Sequence, residues 1–268
     1  MKFNISSLMQ LHYREMGAGS PLVILHGLFG TADNWQTLAR RWSERQRVIL
    51  VDLRNHGRSP HTPEHTYELM SQDVLELFDS LQLTNVTLLG HSMGGKVAMR
   101  FALDHPEKLE RLVVMDIAPR LSDMRHQDEI LAGLNAVNLS TLQSRQEADD
   151  ALARYIPQVD VRQFLLKNLY RRDDNSFAWR QNLTALTTNM SRIGAEIMDD
   201  QPFMKPTLFI RGGKSDYISP EDKLYGIPQL FPNSQVETIP DAGHWVHAEA
   251  PDRVFELVDA FARQSDSI

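Results

Sequence analysis

Short apolar runs alternate with amphipathic stretches along most of the chain. The runs are Leu22–Leu25, Val48–Val51, Val86–Leu89, Leu112–Met115, Leu208–Ile210 and Val236–Ile239. Between them, Trp35–Glu44, Thr66–Leu81, Gly95–Asp104 and Glu221–Leu230 place apolar residues at helical spacing, and Pro251–Arg263 closes the chain in the same way. A short continuous apolar run reads as a strand buried on both faces. Strands of that kind separated by helices predict an α/β fold with a mostly parallel open sheet. Ahead of the first run, Lys2–Met16 alternates weakly and ends in Gly17-Ala18-Gly19-Ser20-Pro21, which predicts a β-hairpin leading into a turn.

The alternation breaks once. From about Pro119 to Gln201 the pattern is helical throughout, in Asp128–Val137, Glu147–Tyr155, Val161–Tyr170 and Phe177–Met190, with polar separators such as Arg171-Arg172-Asp173-Asp174-Asn175. An all-helical insertion between two strands predicts a lobe over the C-terminal edge of the sheet, where ligands bind in open α/β folds. The expected division is a core over residues 1–118, a helical cap over 119–202, and the rest of the core over 203–268.

A length of 268 residues suits one large domain with such an insertion. The 28 basic and 35 acidic side chains give a net charge of −7, which argues against nucleic acid as the main partner. The absence of cysteine removes disulfides, thiolate catalysis and cysteine metal sites. The first residues lack the continuous apolar segment of a secretion signal, and no run approaches transmembrane length. A cytoplasmic location without stable membrane association is the expectation.

Chemistry enters at Gly90-His91-Ser92-Met93-Gly94, directly after the run Val86–Leu89 and before a helical pattern. In this G-x-S-x-G arrangement the serine sits on a sharp strand-to-helix turn with its hydroxyl exposed. The amide of Met93, at the helix start, is aimed at an oxyanion formed on the substrate. A second donor is expected from the loop His26-Gly27-Leu28-Phe29-Gly30, with Leu28 preferred and Phe29 the alternative. A serine nucleophile needs a base oriented by a carboxylate. His244, in Asp241-Ala242-Gly243-His244-Trp245, lies late in the chain where that base belongs. His26 reads as a loop-anchoring ring and His247 as structural. Two acids, Asp116 after the run ending at Met115 and Asp216 in Arg211-Gly212-Gly213-Lys214-Ser215-Asp216, both stand at C-terminal strand ends. Asp52 reads instead as part of a structural turn. Phe29, Met93 and Trp245 flank these positions and are the candidates for an apolar acyl pocket.

His26-Gly27, Asp52-Leu53-Arg54-Asn55-His56-Gly57-Arg58-Ser59, Gly90 through Gly95 and Gly243-His244 follow the chain order of the α/β-hydrolase superfamily, which the sequence resembles over essentially its whole length. His26 through Gly30, Met115-Asp116-Ile117-Ala118-Pro119 and Gly243 through Glu249 are similar to the YbfF-type esterases and related ABHD-type hydrolases. The resemblance implies an eight-stranded core with a helical cap after strand 6. It implies hydrolysis of a small-molecule ester or thioester with no metal or organic cofactor, and it favours Asp116 over Asp216 as the acid. A serine at the nucleophile position argues against alkyl-enzyme chemistry. Gly213-Lys214-Ser215 lacks the earlier glycine of a phosphate loop, Leu208 standing there, and no H-E-x-x-H or other metal-ligand spacing occurs. Ester hydrolysis by a serine carboxylesterase is therefore the expected activity. Acyl-CoA thioester hydrolysis, C–C cleavage on the same triad and ligand sensing without turnover are the alternatives, and a positive rim able to take CoA phosphates would favour the thioesterase.

Overall fold

The computed structural model describes residues 9–263. Seven strands form one sheet in the order β1-β3-β2-β4-β5-β8-β9: β1 (Tyr13–Met16), β2 (Pro21–Leu25), β3 (Arg47–Val51), β4 (Val86–His91), β5 (Leu109–Met115), β8 (Thr207–Gly212) and β9 (Ser234–Ile239). All pairings are parallel except β1 with β3, which is antiparallel. The sheet thus has seven strands among the described residues where the family resemblance implied eight. Part of the expected Lys2–Met16 hairpin lies outside the described residues, and the strand that leads into the insertion is fifth in described chain order, not sixth.

Alternating side chains of the central strands enter two separate cores. Val23, Leu25, Ile49, Val51, Leu88, Leu112 and Val114 pack on one face with α2 (Tyr67–Ser80) and α3 (Met93–Asp104). Leu22, Ile24, Val48, Leu50, Leu89, Val113 and Met115 pack on the other with α1 (Gln36–Trp42), α10 (Val246–Glu249) and α11 (Pro251–Ala262). This period-two partition explains why the central runs are continuously apolar: neither face of β2, β3, β4 or β5 meets water, whereas the edge strands β1 and β9 are partly exposed. Thr66 begins α2 by accepting a hydrogen bond from the Leu69 amide at 3.3 Å, which satisfies one donor of the first turn.

Between β5 and β8 the chain forms α4 (Arg125–Ala136), α5 (Arg145–Leu152), α6 (Val159–Leu166), α7 (Leu183–Thr188) and α8 (Met190–Ile193). It also forms a hairpin, β6 (Leu169–Arg171) with β7 (Phe177–Trp179), so the all-helical reading of this stretch is corrected. Phe177, Ala178 and Trp179 are all buried, and a three-residue apolar run carries too little periodicity to separate strand from helix. Arg171 lies 4.5 Å over the Phe177 ring and Arg180 4.7 Å over Tyr170, cross-strand contacts that hold the hairpin. Helix resumes at α7, where Asn182 caps the Ala185 amide.

Candidate active site

The turn from β4 to α3 places Ser92 at φ 53°, ψ −119°, outside the allowed regions of an L-residue. Such a conformation costs about 1–3 kcal/mol and persists only when its surroundings enforce it. The enforcement comes from close packing on both sides. A Cβ on Gly90 would stand 2.1 Å from the Gly94 carbonyl oxygen, and one on Gly94 would stand 2.5 Å from the carbonyl oxygen of His26. Only glycine lets strand, helix and the His26 loop approach so closely.

Three sequence-selected residues meet at this turn. The Ser92 hydroxyl and His244 Nε2 are 3.0 Å apart, and His244 Nδ1 is 2.8 Å from Asp116 Oδ2. Asp116 follows β5 in a left-handed conformation (φ 49°) and is fully buried. Its carboxylate also accepts hydrogen bonds from the Gly212 amide at 2.8 Å and from the Ser215 hydroxyl. These donors satisfy carboxylate oxygens that burial has cut off from water. Asp216 is exposed, and its backbone carbonyl accepts a hydrogen bond from Arg120 at 3.0 Å; its side chain is not brought to His244.

The loop bearing His244 is pinned from two directions. Glu249, on α10, accepts hydrogen bonds from the amides of Gly243 at 2.7 Å and Trp245 at 3.1 Å. His91 Nε2 donates to the His244 carbonyl at 2.8 Å, and the Tyr217 ring stacks on the His244 imidazole with centroids 4.0 Å apart. Burial pushes His91 well below the usual histidine range, with His247 and His244 adding to the shift. His247 is pushed down to about 3, chiefly by burial, and its ring stacks on Trp35 at 4.3 Å.

Of the candidate oxyanion donors, the Met93 amide lies in the first turn of α3, where helical amides have no intrahelical acceptor. The Leu28 amide has no intramolecular acceptor among the described residues. The Phe29 amide is occupied, donating to His56 Nε2 at 3.3 Å. Phe29 itself has φ 62°, and its carbonyl accepts a hydrogen bond from Asn168 Nδ2 at 2.8 Å. His26 anchors the same loop: Nδ1 donates to the Gly27 carbonyl at 2.8 Å while Nε2 accepts from the Leu53 amide at 3.0 Å. Burial keeps that ring below its ordinary pKa, as the neutral tautomer with one donor and one acceptor requires.

Ser92 and His244 open onto a cavity of about 300 Å³ lined by Leu28, Phe29, Trp35, Phe164, Leu165 and Trp245, among others. Trp245 packs on Phe164 of α6 with ring centroids 5.2 Å apart. Met93 lines a second, much smaller cavity of about 20 Å³ that also touches Ser92 and Leu28. Sequence reasoning missed Tyr217, Asn168 and Phe164. Tyr217 adjoins Asp216, whose carboxyl drew attention away from it, and nothing in the linear pattern marks Asn168 or Phe164 as neighbours of the site. Among the described residues, no group of three or more His, Asp or Glu is arranged to hold a metal ion.

Residues 20–251 match the family model described as the alpha/beta hydrolase fold. The chain is 41% identical over 247 residues to the mouse (Mus musculus) sn-1-specific diacylglycerol lipase ABHD11, covering 90% of this chain and 80% of that protein. It is 39% identical over 240 residues to esterase YbfF of Escherichia coli strain K12, covering 89% and 91%. A solved marine microorganism esterase superposes with a TM-score of 0.92 at 40% identity, covering 94% of this chain and 99% of that one.

Proposed function

The chain belongs to the alpha/beta-hydrolase family and is an ester-hydrolysing enzyme of the esterase/lipase type, and from that premise we propose that it is a serine carboxylesterase acting on small to medium acyl esters. The observation that carries this reading is the continuous hydrogen-bonded line from Ser92 through His244 to Asp116 at the floor of an apolar cavity.

His244 Nε2 takes the Ser92 proton as the hydroxyl attacks the substrate carbonyl. Asp116 fixes the tautomer with the proton on Nδ1 and stabilises the imidazolium that forms. The tetrahedral oxyanion is held by the amides of Leu28 and Met93; Phe29, whose amide serves His56, is left out of that role. His244 then protonates the leaving group, and a water activated by the same imidazole releases the acid from the acyl-enzyme. Phe29, Met93 and Trp245 contribute apolar walls. Residues 119–202 act as a cap, supplying Phe164 and Leu165 to the cavity and Asn168 to the oxyanion loop.

Hydrolysis of p-nitrophenyl acetate, butyrate and octanoate by wild type and Ser92→Ala tests the proposal. Turnover that disappears with the substitution is expected. A folded wild-type protein inert towards all three esters would overturn it and turn attention to C–C cleavage.

A further inference from the structure

The helix that carries the nucleophile turn, α3, is apolar from Met93 to Met99 except at Lys96, which is nonetheless only 1% exposed. An ammonium has three donors and no acceptor, and in such surroundings each donor needs an oxygen. Lys96 Nζ finds them in the carbonyls of Arg120 at 2.9 Å, Gly194 at 3.2 Å and Ala195. These carbonyls belong to the two segments that join the insertion to the core: Arg120 lies between β5 and α4, and Gly194 and Ala195 follow α8. The same segments pair with each other, the Ser122 amide donating to the Gly194 carbonyl at 2.8 Å and the Ile197 amide to that of Pro119 at 2.7 Å. On the exit side Tyr67 of α2 adds its hydroxyl, which donates to the Ile193 carbonyl. One side chain, a single helical turn beyond Ser92, thus clasps both ends of the insertion to the nucleophile helix.

The clasped segments are also walls of the small cavity of about 20 Å³. Ser122 and Met124 line it from the entry segment and Ile193 from the exit, and Lys96 and Tyr67 line it too. A space of that size holds about one group as large as a water or a methyl. It touches Ser92, Leu28 and Met93 but not His244. His244, which protonates the leaving group, lines the wide cavity of about 300 Å³ instead. The leaving group therefore occupies the wide cavity, and the acyl substituent the small one.

We infer that Lys96 is a positioning residue for acyl selection: by holding both junctions of the insertion against α3, it keeps the small cavity at the size of a methyl group, so that acetyl esters are taken in preference to longer acyl esters. This rests on the serine-esterase reading of Ser92 and sharpens it. The Lys96 amine is committed to three carbonyls, so it acts on the acyl group through the segments it holds and not as a charge offered to substrate. One methylene too many in a closed apolar pocket lowers kcat/KM by about 10-fold to 200-fold. Walls that are free to move lose that discrimination.

The test measures kcat/KM for p-nitrophenyl acetate and p-nitrophenyl butyrate with wild type, Lys96→Met and Tyr67→Phe. Burial first, and then Arg120, pushes the amine down to about 7 against the opposing effect of Glu196, so the assay is run at about pH 6, where the third donor is kept. Wild type is expected to favour acetate by roughly tenfold or more. Lys96→Met keeps an unbranched side chain and removes the amine, and the ratio should fall by roughly fivefold or more. Tyr67→Phe removes only the hydroxyl anchor on Ile193 and should move the ratio the same way by about twofold. A merely structural loss lowers both esters in parallel and leaves the ratio alone. A wild type without preference for acetate, or an unchanged ratio in folded Lys96→Met, would overturn the inference; if that variant does not fold, an unchanged ratio in Tyr67→Phe does so. If wild type turns over neither ester, the esterase reading fails, and amide hydrogen exchange at Ser122 and Ile197 decides the clasp separately. Exchange about tenfold faster there in the folded variant, with β4 and β5 unchanged, supports the clasp, and equal protection overturns it.

Discussion

Asp116→Asn isolates the orienting carboxylate with little other disturbance. Asn is nearly isosteric and tolerates positive φ, so the left-handed backbone at 49° is kept. The Gly212 amide can only donate, which fixes the Asn side-chain oxygen at the Oδ1 position, 2.8 Å away. The amide nitrogen then falls at the Oδ2 position, facing Ser215 and His244 Nδ1. Ser215 can rotate its hydroxyl to accept. His244 can accept only by moving its proton to Nε2, the nitrogen that faces Ser92 at 3.0 Å. The base is then blocked by its own proton. Loss of the correct tautomer costs about 10³–10⁴ in kcat, or about 4–5.5 kcal/mol of barrier. Steady-state hydrolysis of p-nitrophenyl acetate reads the loss, with thermal unfolding as the folding control. Asp216→Asn, at an exposed carboxyl, should stay within about twofold of wild type. Asp116→Asn within about tenfold of wild type, or an equal loss at Asp216, would refute the reasoning.

Asn168→Ala removes the hydrogen bond to the Phe29 carbonyl at 2.8 Å and leaves that oxygen unpaired. Kinetics should show kcat reduced by about 10-fold to 100-fold through the displaced Leu28 amide, with KM little changed, from a loss of about 1–3 kcal/mol. Glu249→Gln removes the charge from both contacts and leaves one of the two loop amides without an acceptor, because the Gln side-chain nitrogen can only donate, and a lower kcat with unchanged unfolding temperature is expected from the same assay. His65 and His247 are both depressed to about 3 by burial, so between about pH 6.5 and 3 the unfolded chain binds more protons than the native one. Stability therefore falls as pH drops through that window. Urea titrations should give a shallower acid slope for His247→Asn than for wild type, and parallel slopes would contradict the assignment. Lys96, 1% exposed and bonded to the carbonyls of Arg120 and Gly194 at 2.9 and 3.2 Å and to that of Ala195, is pushed down to about 7, by burial first and then by Arg120. Between about pH 7 and 10.5 only the unfolded chain keeps the proton, so wild type should gain stability relative to Lys96→Met by up to about 1.4 kcal/mol per pH unit; a pH-independent difference would refute it.

The sequence by itself determined the parallel sheet, because strands buried on both faces must be continuously apolar, as Val48–Val51 and Val86–Leu89 are. It also determined the turn at Ser92, because a side chain on Gly90 would collide with the Gly94 carbonyl only four residues on, and that crowding is local in the chain. His26 was legible as an anchor for the same reason: its bond to Gly27 lies one residue away. Contacts across large sequence separations were decided only by the tertiary structure. Asp116 and Asp216 look alike as acids at strand ends, and only the packing of β5 beside β8 turns one to His244 and leaves the other in solvent. The β6–β7 hairpin was invisible because a buried three-residue run has no measurable period.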